Sequence, residues 1–243
     1  MIRICITLVA LLMLSPLTVT PAVSGEEMSS RLTVVELFTS QGCSSCPPAD
    51  HFLQDLADEP GILALSWSVD YWDYLGWRDT FARPEFTARQ KAYNHTMGKS
   101  GVYTPQMVIA GRYEAVGSRT DAVRDLIALS RNNSPAVAID IERDGRVLRA
   151  LTLSGRVSGP VTVWLIGSDD RREVVIRAGE LEGRAMSYRN VVSQAEKVGT
   201  LSAETGTFQL DMEKFQDIKG DSHAILFQQG DGGPILAAYR IML

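Results

Sequence analysis

Residues 34–50, with the sequence VVELFTSQGCSSCPPAD, place two cysteines directly after an apolar run. The run itself spans residues 32–38 and is rich in β-branched residues, which is typical of a strand buried on both faces. From Ala49 onward, apolar residues recur at helical spacing until a stop signal at residues 59–61. The sequence therefore predicts a strand, a short loop that carries both cysteines, and a helix.

The spacing Cys43-x-x-Cys46, at the start of the predicted helix, indicates thiol chemistry. Backbone N–H groups at a helix N-terminus stabilise the thiolate of the first cysteine. A free thiol titrates at about pH 8.5, and in such motifs the value falls to about 7 or lower. Cys43 is therefore the predicted nucleophile that attacks a substrate disulfide, and Cys46 is predicted to resolve the mixed disulfide.

Two other interpretations of the cysteine pair stay open. A purely structural disulfide is one, although a bridge over two intervening residues closes a small loop and gains little stabilisation from it. A metal-binding pair is the other, in which both thiolates and a histidine hold zinc or copper. The candidate histidines are His51, His95 and His223, but the sequence contains no second CxxC and no HxxxH motif.

An alternation of strands and helices continues to about residue 133. The predicted elements are a strand over residues 62–69, a helix over about residues 84–97, a hairpin over residues 106–116 and a helix that follows Ser118. An aromatic block, residues 71–77, separates the second strand from the second helix. This order predicts an α/β fold for the first half of the chain.

After Pro135 the pattern changes to short strands separated by turn signals. A hairpin is predicted over residues 136–153, followed by strands over residues 161–166, 173–178, 187–192, 207–212, 224–228 and 234–239. Their spacing is typical of a β-sandwich. We therefore predict two domains, an α/β domain over residues 30–133 and a β-rich, sandwich-like domain over residues 135–243.

The first half resembles the thioredoxin fold in two places. One is the cysteine pair after the first strand, and the other is the sequence VYTP, residues 102–105, which opens a hairpin before a helix. In the thioredoxin family that proline is cis and packs against the active-site disulfide, and the backbone before it pairs with substrate. The resemblance to this thioredoxin-like fold implies that Pro105 shapes a substrate groove and that Thr104 contacts the substrate by strand addition.

Glu36 lies inside the otherwise apolar first strand, where a carboxylate is rarely buried without a partner or a purpose. It resembles, with one extra residue of spacing, the buried acid that assists proton transfer at the second cysteine of thioredoxins. The resemblance thus implies a catalytic role for Glu36 beside Cys43 and Cys46. The alternative is a carboxylate that lies at an exposed strand end or pairs with an arginine.

Three segments narrow the resemblance further. Residues 34–50, 69–77 and 103–106 are similar to an exported bacterial family known as domain of unknown function 1223, and the likeness runs from about residue 32 to the C-terminus. Within the aromatic block, Trp72 and Trp77 are candidate contacts for a peptide substrate, because aromatic residues are common at such surfaces. Core packing between a strand and a helix is the alternative for the same block.

The N-terminus predicts export. Arg3 precedes an apolar run that is too short to span a bilayer, and a small-residue cleavage site follows at residues 22–24. We interpret residues 1–24 as a cleaved signal peptide, with an uncleaved anchor as the alternative. Cleavage removes Cys5 and leaves one cysteine pair in a periplasmic or secreted protein that has no stable membrane anchor, in a compartment that permits disulfides.

The net charge of −5 gives no basic excess to neutralise phosphates, so we expect no nucleic-acid partner. The function predicted from the sequence is that of an exported thiol–disulfide oxidoreductase, which acts on protein or peptide thiols and disulfides without a dissociable cofactor. Two other classes stay open. One is a copper or zinc metallochaperone, and the other is a non-enzymatic binding module built on the same fold.

Overall fold

A computed structural model of the protein describes residues 32–133, 138–154, 159–201 and 206–241. The predicted signal peptide, residues 1–24, lies outside these ranges. Among the residues inside them, no helix is both long and apolar enough to cross a membrane.

The first half folds in the order strand, helix, strand, helix, hairpin and helix, as the sequence predicts. Its elements are β1 (Thr33–Thr39), α1 (Pro47–Ala57), β2 (Ile62–Ser68), α2 (Pro84–Thr96), β3 (Gln106–Ile109), β4 (Tyr113–Val116) and α3 (Thr120–Asn132). A 3₁₀ turn at Asp73–Leu75 falls inside the aromatic block. The predicted α/β class is therefore confirmed, and the element ends differ from the predictions by a residue or two.

Strand β1 lies inside the sheet of the first half. It pairs with β2 in parallel and with β3 in antiparallel orientation, and β4 continues the sheet beyond β3. Helices α1 and α3 pack on one face through a core that includes Leu37 and Phe52. Helix α2 packs on the other face through a core that includes Phe38 and Phe86. Alternate residues of β1 therefore point to different helices.

The second half is rich in strands, and two of them form a long hairpin. Its elements are β5 (Ala138–Asp144), β6 (Val147–Ser154), β7 (Val161–Val175), β8 (Ala185–Leu201), β9 (Thr207–Asp211), α4 (Glu213–Gln216), β10 (Ser222–Gln229) and β11 (Ile235–Ile241). The prediction of separate strands at residues 161–166 and 173–178 is wrong in this detail, because β7 contains the first segment and continues to Val175, inside the second. Most of the intervening polar residues continue the strand by backbone pairing with β8, which hydrophobic periodicity does not report.

The strands of the second half extend the sheet of the first half. Strand β8 lies beside β2 in parallel, with Ser66 paired to Val191, and this makes an eight-stranded sheet in the order β11-β10-β7-β8-β2-β1-β3-β4. Strands β5, β6 and β9 form a three-stranded sheet. This small sheet packs on β7, β10 and β11 through an apolar core, so the second half has two layers. The larger layer, the eight-stranded sheet, contains strands from both sides of the predicted domain boundary near residue 134.

Polar side chains close the seam between the two halves. Besides the Ser66–Val191 pair, two carbonyls of β2 accept hydrogen bonds from side chains of β8 and β11. Asn190 donates to the carbonyl of Ala64 (2.9 Å), and Arg240 donates to that of Ile62 (2.8 Å). Buried backbone carbonyls need such partners. Both hydrogen bonds and apolar packing therefore join the two halves of the chain.

Candidate active site

The cysteine pair lies at the start of α1 and is joined as a disulfide. The Cα atoms of Cys43 and Cys46 are 5.4 Å apart. Cys46 is fully buried, whereas 4% of Cys43 remains exposed, beside the solvent-exposed Ser44 and Ser45. A molecule that approaches from solvent therefore meets Cys43 first.

A tight turn leads from the cysteine loop into α1. The backbone N–H of Cys43 donates to the carbonyl of Ser40 (3.1 Å), and that of Cys46 donates to the carbonyl of Cys43 (3.1 Å). Prolines at residues 47–48 begin the helix, where their fixed φ is suitable and a missing N–H costs no hydrogen bond. The Ser45 hydroxyl lies 3.5 Å from the Cys43 sulfur. Together with the positive end of the helix dipole, it is placed to stabilise a Cys43 thiolate.

Trp72 connects the cysteine loop to the segment before β3. Its indole N–H donates to the Thr104 hydroxyl (2.7 Å). It also packs so closely on the loop that a Cβ atom at Gly42 would lie 3.2 Å from the Cβ of Trp72. The Thr104–Pro105 peptide bond is cis. The structure therefore brings together three of the residues singled out in the sequence, Thr104, Pro105 and Trp72, beside the cysteine loop.

Pro105 also lies against the first turn of α1. The backbone N–H of Gly117 donates to the Pro105 carbonyl (2.9 Å). A Cβ atom on Gly117 would lie 2.9 Å from the Cβ of Ala49 and 3.3 Å from that of Pro105. Because a larger residue would force these groups apart, glycine at this position allows Pro105 and the helix to approach closely.

Trp77 supports the cysteine loop from the end of the aromatic block. Its indole N–H donates to Gln41 Oε1 (2.8 Å), and Asp79 Oδ2 accepts the backbone N–H of Gln41 (2.8 Å). Burial raises the pKa of Asp79 to about 6, although hydrogen bonds from backbone N–H groups lower it. Trp77 is thus tied to the loop, whereas Tyr74 is 76% exposed and stacks on Trp72.

Glu36 does not lie beside the cysteines. It alternates with Val35 and Leu37 along β1 and so points to the α2 face of the sheet, whereas α1 lies on the opposite face. Arg89 donates to both of its carboxylate oxygens, at 2.7 Å from Nε and 3.3 Å from Nη2, and Tyr93 donates to it as well. This placement corrects the catalytic role that the resemblance implies. The pairing with an arginine, which the sequence left as the alternative, is the one observed.

Arg89 is almost as deeply buried as Glu36. Its guanidinium carbon lies 4.9 Å from the Trp67 ring centroid and 5.0 Å from that of Trp164, and its Nη1 donates to Gln228 Oε1 (3.1 Å). Burial lowers the pKa of Arg89, but the charge of Glu36 and their hydrogen bond more than offset this and leave the pKa raised. The ion pair therefore links β1 and α2 to β10 of the second half.

Asp50 is a buried acid on the helix that begins at the cysteines. It follows Cys46 by one helical turn, so the two side chains lie on the same face of α1. The Thr39 hydroxyl donates to Asp50 Oδ1 (2.7 Å), while Oδ2 is buried with no hydrogen-bond partner among the described residues. Burial raises the pKa of Asp50 to about 7, the hydrogen bond from Thr39 lowers it, and the charge of Asp79 raises it further. Asp50 therefore exchanges a proton near neutral pH.

The sequence contained a signal for Asp50 that the residue-by-residue reasoning missed. The apolar residues Phe52, Leu53 and Leu56 define the buried side of α1, and Asp50 lies one turn before Leu53 on that side. A carboxylate on an apolar helix face is as unusual as one inside an apolar strand. The criterion that singled out Glu36 therefore applies equally to Asp50.

Replacing Asp50 by Asn should stabilise the fold at neutral and alkaline pH. The pKa of Asp50 is raised from 3.8 to about 7, so between these values the folded chain binds a proton that the unfolded chain has released. The stability contributed by this group therefore falls as the pH rises through that window. We expect Asp50→Asn to raise the free energy of unfolding by roughly 4 kcal/mol at about pH 8 and to leave it nearly unchanged at about pH 4. Urea unfolding at both pH values measures the difference, and superimposable curves at about pH 8 would refute it.

The three candidate metal-binding histidines are spread over the structure. His51 and His95 are exposed on α1 and α2, and a ring nitrogen of His223 lies 3.0 Å from the carbonyl oxygen of Ile218. Within the described ranges, no group of three or more His, Cys, Asp or Glu side chains is placed to hold a metal ion.

The fold and the site together define a class: α/β proteins in which a large mixed sheet carries a CxxC disulfide at the start of a helix. The chain belongs to the family described as "Protein of unknown function (DUF1223)", whose family model matches residues 34–228. The resemblance found in the three sequence segments is thereby confirmed. No curated protein matches the chain.

Two solved structures are similar to this chain. The crystal structure of protein AGR_C_4864 from Agrobacterium tumefaciens is 30% identical, with a TM-score of 0.72, and the match covers 88% of this chain and 96% of that one. HBP35 of Porphyromonas gingivalis is 12% identical, with a TM-score of 0.57, and the match covers 88% of this chain and 76% of that one. The second likeness concerns the fold alone.

Proposed function

We propose that this protein is a thiol–disulfide oxidoreductase whose first half is a thioredoxin-like unit. The topology supports the fold assignment. Strand β2 runs parallel to β1, and the antiparallel hairpin of β3 and β4 lies on the other side of β1. Helices α1 and α2 cover opposite faces of this sheet. The observation that carries the function is the Cys43–Cys46 pair at the first turn of α1, with Thr104 joined to its loop through Trp72. The predicted signal peptide supports an activity in the periplasm or outside the cell.

With the pair oxidised, a two-step exchange balances in atoms and electrons. A substrate thiolate attacks the Cys43 sulfur, the Cys43–Cys46 bond breaks, and the electron pair of that bond leaves on Cys46 as a thiolate. A second substrate thiolate then attacks the substrate sulfur of the mixed disulfide and releases Cys43 as a thiolate. Two substrate thiols become one disulfide, and the cysteine pair holds the two electrons. With the pair reduced, the same steps run in reverse and reduce a substrate disulfide.

Asp50 supplies the proton for the buried member of the pair. In the first step Cys46 leaves as a thiolate in a fully buried position, where an unpaired charge is costly. Protonated Asp50, one turn along the same helix face, gives its proton to that sulfur and takes it back when Cys46 becomes the nucleophile. The Asp50 pKa of about 7 suits transfer in both directions near neutral pH.

Residues 102–104 are the proposed edge for a substrate peptide, and within them the Tyr103 carbonyl already accepts from Gln90 Nε2 (2.8 Å). Strand β3 begins at Gln106, so these half-buried residues precede the ladder and lie beside the cysteine loop. An extended peptide that adds to this backbone brings its own sulfur towards Cys43. Tyr74, exposed and stacked on Trp72, adds an apolar surface next to the same segment. The proposed substrates are therefore thiols or disulfides in extended polypeptide segments.

Exchange with a model peptide tests this function. The oxidised protein is mixed with a reduced peptide that carries two cysteines, and the loss of peptide thiols is followed over time. We expect peptide thiols to be lost until the peptide and the Cys43–Cys46 couple reach equilibrium, and the protein to turn over repeatedly when glutathione disulfide is added as the terminal oxidant. The variant Cys43→Ser should do neither. The proposal fails if the protein and this variant oxidise the peptide equally slowly.

A further inference from the structure

A buried polar cluster lies between α1, β2 and β8, one helical turn from Cys46. Asp50 Oδ2, Ser66 Oγ and Tyr188 Oη on these three elements are buried, and none of the three has a hydrogen-bond partner among the described residues. Tyr188 belongs to the second half of the chain. Buried polar groups in proteins rarely go unpartnered, so an unpartnered acid and two unpartnered hydroxyls on adjoining elements indicate a functional arrangement.

Three contacts place Tyr188 against the elements of the site. Gln54 on α1 donates to the carbonyl of Ser187 (3.0 Å), which ties the helix to β8 one residue before Tyr188. The Tyr188 ring packs edge-on against Phe81, with 5.9 Å between the ring centroids. The backbone N–H of Phe81 donates in turn to Asp79 Oδ1 (2.8 Å). Tyr188 therefore lies between α1 and the segment that holds the cysteine loop.

The charges that act on Tyr188 from α1 and from the segment before α2 are acidic, whereas Arg172, its cross-strand neighbour on β7, donates to Asp169 Oδ2 (2.8 Å). Asp50 comes from α1 and Asp79 from the segment before α2, while β1 and β2 contribute the neutral hydroxyls of Thr39 and Ser66. Burial raises the pKa of Tyr188 above its usual range, and the charges of Asp50 and Asp79 raise it further. Tyr188 therefore stays a neutral phenol, whose O–H group is a hydrogen-bond donor.

We propose that Tyr188 is a positioning residue for proton transfer at Cys46. The β7–β8 hairpin, which carries Tyr188, then belongs to the redox site. The inference rests on the proposed function. A phenol that donates to Asp50 through an ordered water molecule stabilises the carboxylate that accepts the Cys46 proton. The second half of the chain then closes the cluster and sets the pH at which Asp50 releases its proton.

The variant Tyr188→Phe tests this role because it removes only the hydroxyl. In a Cys43→Ser background, the alkylation rate of Cys46 should depend on pH with an inflection set by Asp50. Loss of a donor disfavours the Asp50 carboxylate, so we expect the inflection to move to higher pH by roughly 0.5 to 1 unit. Mass spectrometry of the peptide that contains Cys46 measures the rate at each pH.

Tyr239→Phe is the matched control. Tyr239 is another buried tyrosine of the second half, and its hydroxyl donates to the Ile139 carbonyl (2.5 Å) within the core between the two sheets. This variant should lower stability without moving the inflection, whereas Asp50→Asn should remove the inflection. An inflection at one and the same pH with and without the Tyr188 hydroxyl would overturn the inference.

A second measurement applies if Tyr188→Phe does not fold. In the unaltered protein with ¹³C-labelled tyrosine, the NMR signal of the Tyr188 ring should titrate with the midpoint of Asp50 and lose that titration in Asp50→Asn. A signal that does not change with pH overturns the inference. Failure of the proposed function is distinguishable, because the disulfide would then exchange with no substrate while the titration of Tyr188 persisted.

Discussion

The variant Cys46→Ser should trap its substrate as a stable mixed disulfide. In the reduced variant, the Cys43 thiolate attacks glutathione disulfide, one glutathione leaves, and the other stays bound to Cys43. No second thiolate remains one turn along the helix to displace it. We expect most of the Cys46→Ser chains to carry one glutathione, and the wild-type protein to carry only a trace, because Cys46 resolves the adduct. Intact-mass measurement after acid quenching counts the adduct.

Cys43→Ser is the matched control for this experiment. It keeps the thiol of Cys46, which is fully buried, so the bulky glutathione disulfide should react with it far more slowly than a small alkylating reagent does, and few adducts should form. Comparable adducts on both single variants would show that the two sulfurs are equally accessible. An adduct on Cys43→Ser alone would reverse the assigned roles.

Arg89→Met should cost the protein much of its stability. The substitution leaves Glu36 with no cationic partner. The side chains of Arg89 and Glu36 are both buried, with 3% and 0% of their surface exposed, so water cannot replace the lost partner. Breaking a buried ion pair by removing one partner costs about 3–5 kcal/mol, because the remaining charge is uncompensated. We expect a loss of that size in the free energy of unfolding at neutral pH, measured by urea denaturation.

Two further variants make this result specific to the buried pair. Arg124→Met removes the partner of Glu59 in an ion pair of 2.8 Å that is partly exposed, and it should cost at most about 1 kcal/mol. Glu36→Gln, added to Arg89→Met, removes the unpaired charge and should recover a large part of the loss. If Arg89→Met lowers the free energy of unfolding no more than Arg124→Met does, Glu36 has another partner, and Arg89 is not the residue that compensates its charge.

The strand, loop and helix around the cysteines are predictable because several local signals agree there. The apolar run of residues 32–38 marks a fully buried strand, and prolines 47–48 mark the first turn of a helix. Apolar residues then recur at helical spacing until Pro60 and Gly61, which end the helix. Where strand propensity, turn residues and periodicity point to one structure, sequence reasoning finds the element.

The partner of each strand is harder to predict, because a periodic pattern reports burial and not the identity of a neighbour. Ser66 and Val191 pair across the two halves of the chain, yet neither segment carries a mark of the other. Strand β7 shows the same limit. Its polar residues indicate the end of a strand in the sequence, although the backbone of most of them continues to pair with β8. The continuous sheet and the long hairpin therefore emerge only in the folded structure.

The choice between two unusual acids shows the same limit at the site. Glu36 and Asp50 each interrupt an apolar pattern, so the sequence marks both. Which of them lies near Cys46 depends on which face of the sheet α1 covers. Glu36 points to the α2 face, whereas Asp50 shares a helix face with Cys46. Sheet faces are assigned by tertiary packing, which no local window of sequence contains.

The reduction potential of the Cys43–Cys46 couple is the most direct test of the proposed oxidoreductase. Equilibration in glutathione redox buffers, followed by trapping of free thiols and mass spectrometry, gives the ratio of oxidised to reduced protein. We predict a potential between roughly −270 and −120 mV, the range of proteins that exchange disulfides. A potential below about −300 mV would mark an inert structural bridge and contradict the proposed function.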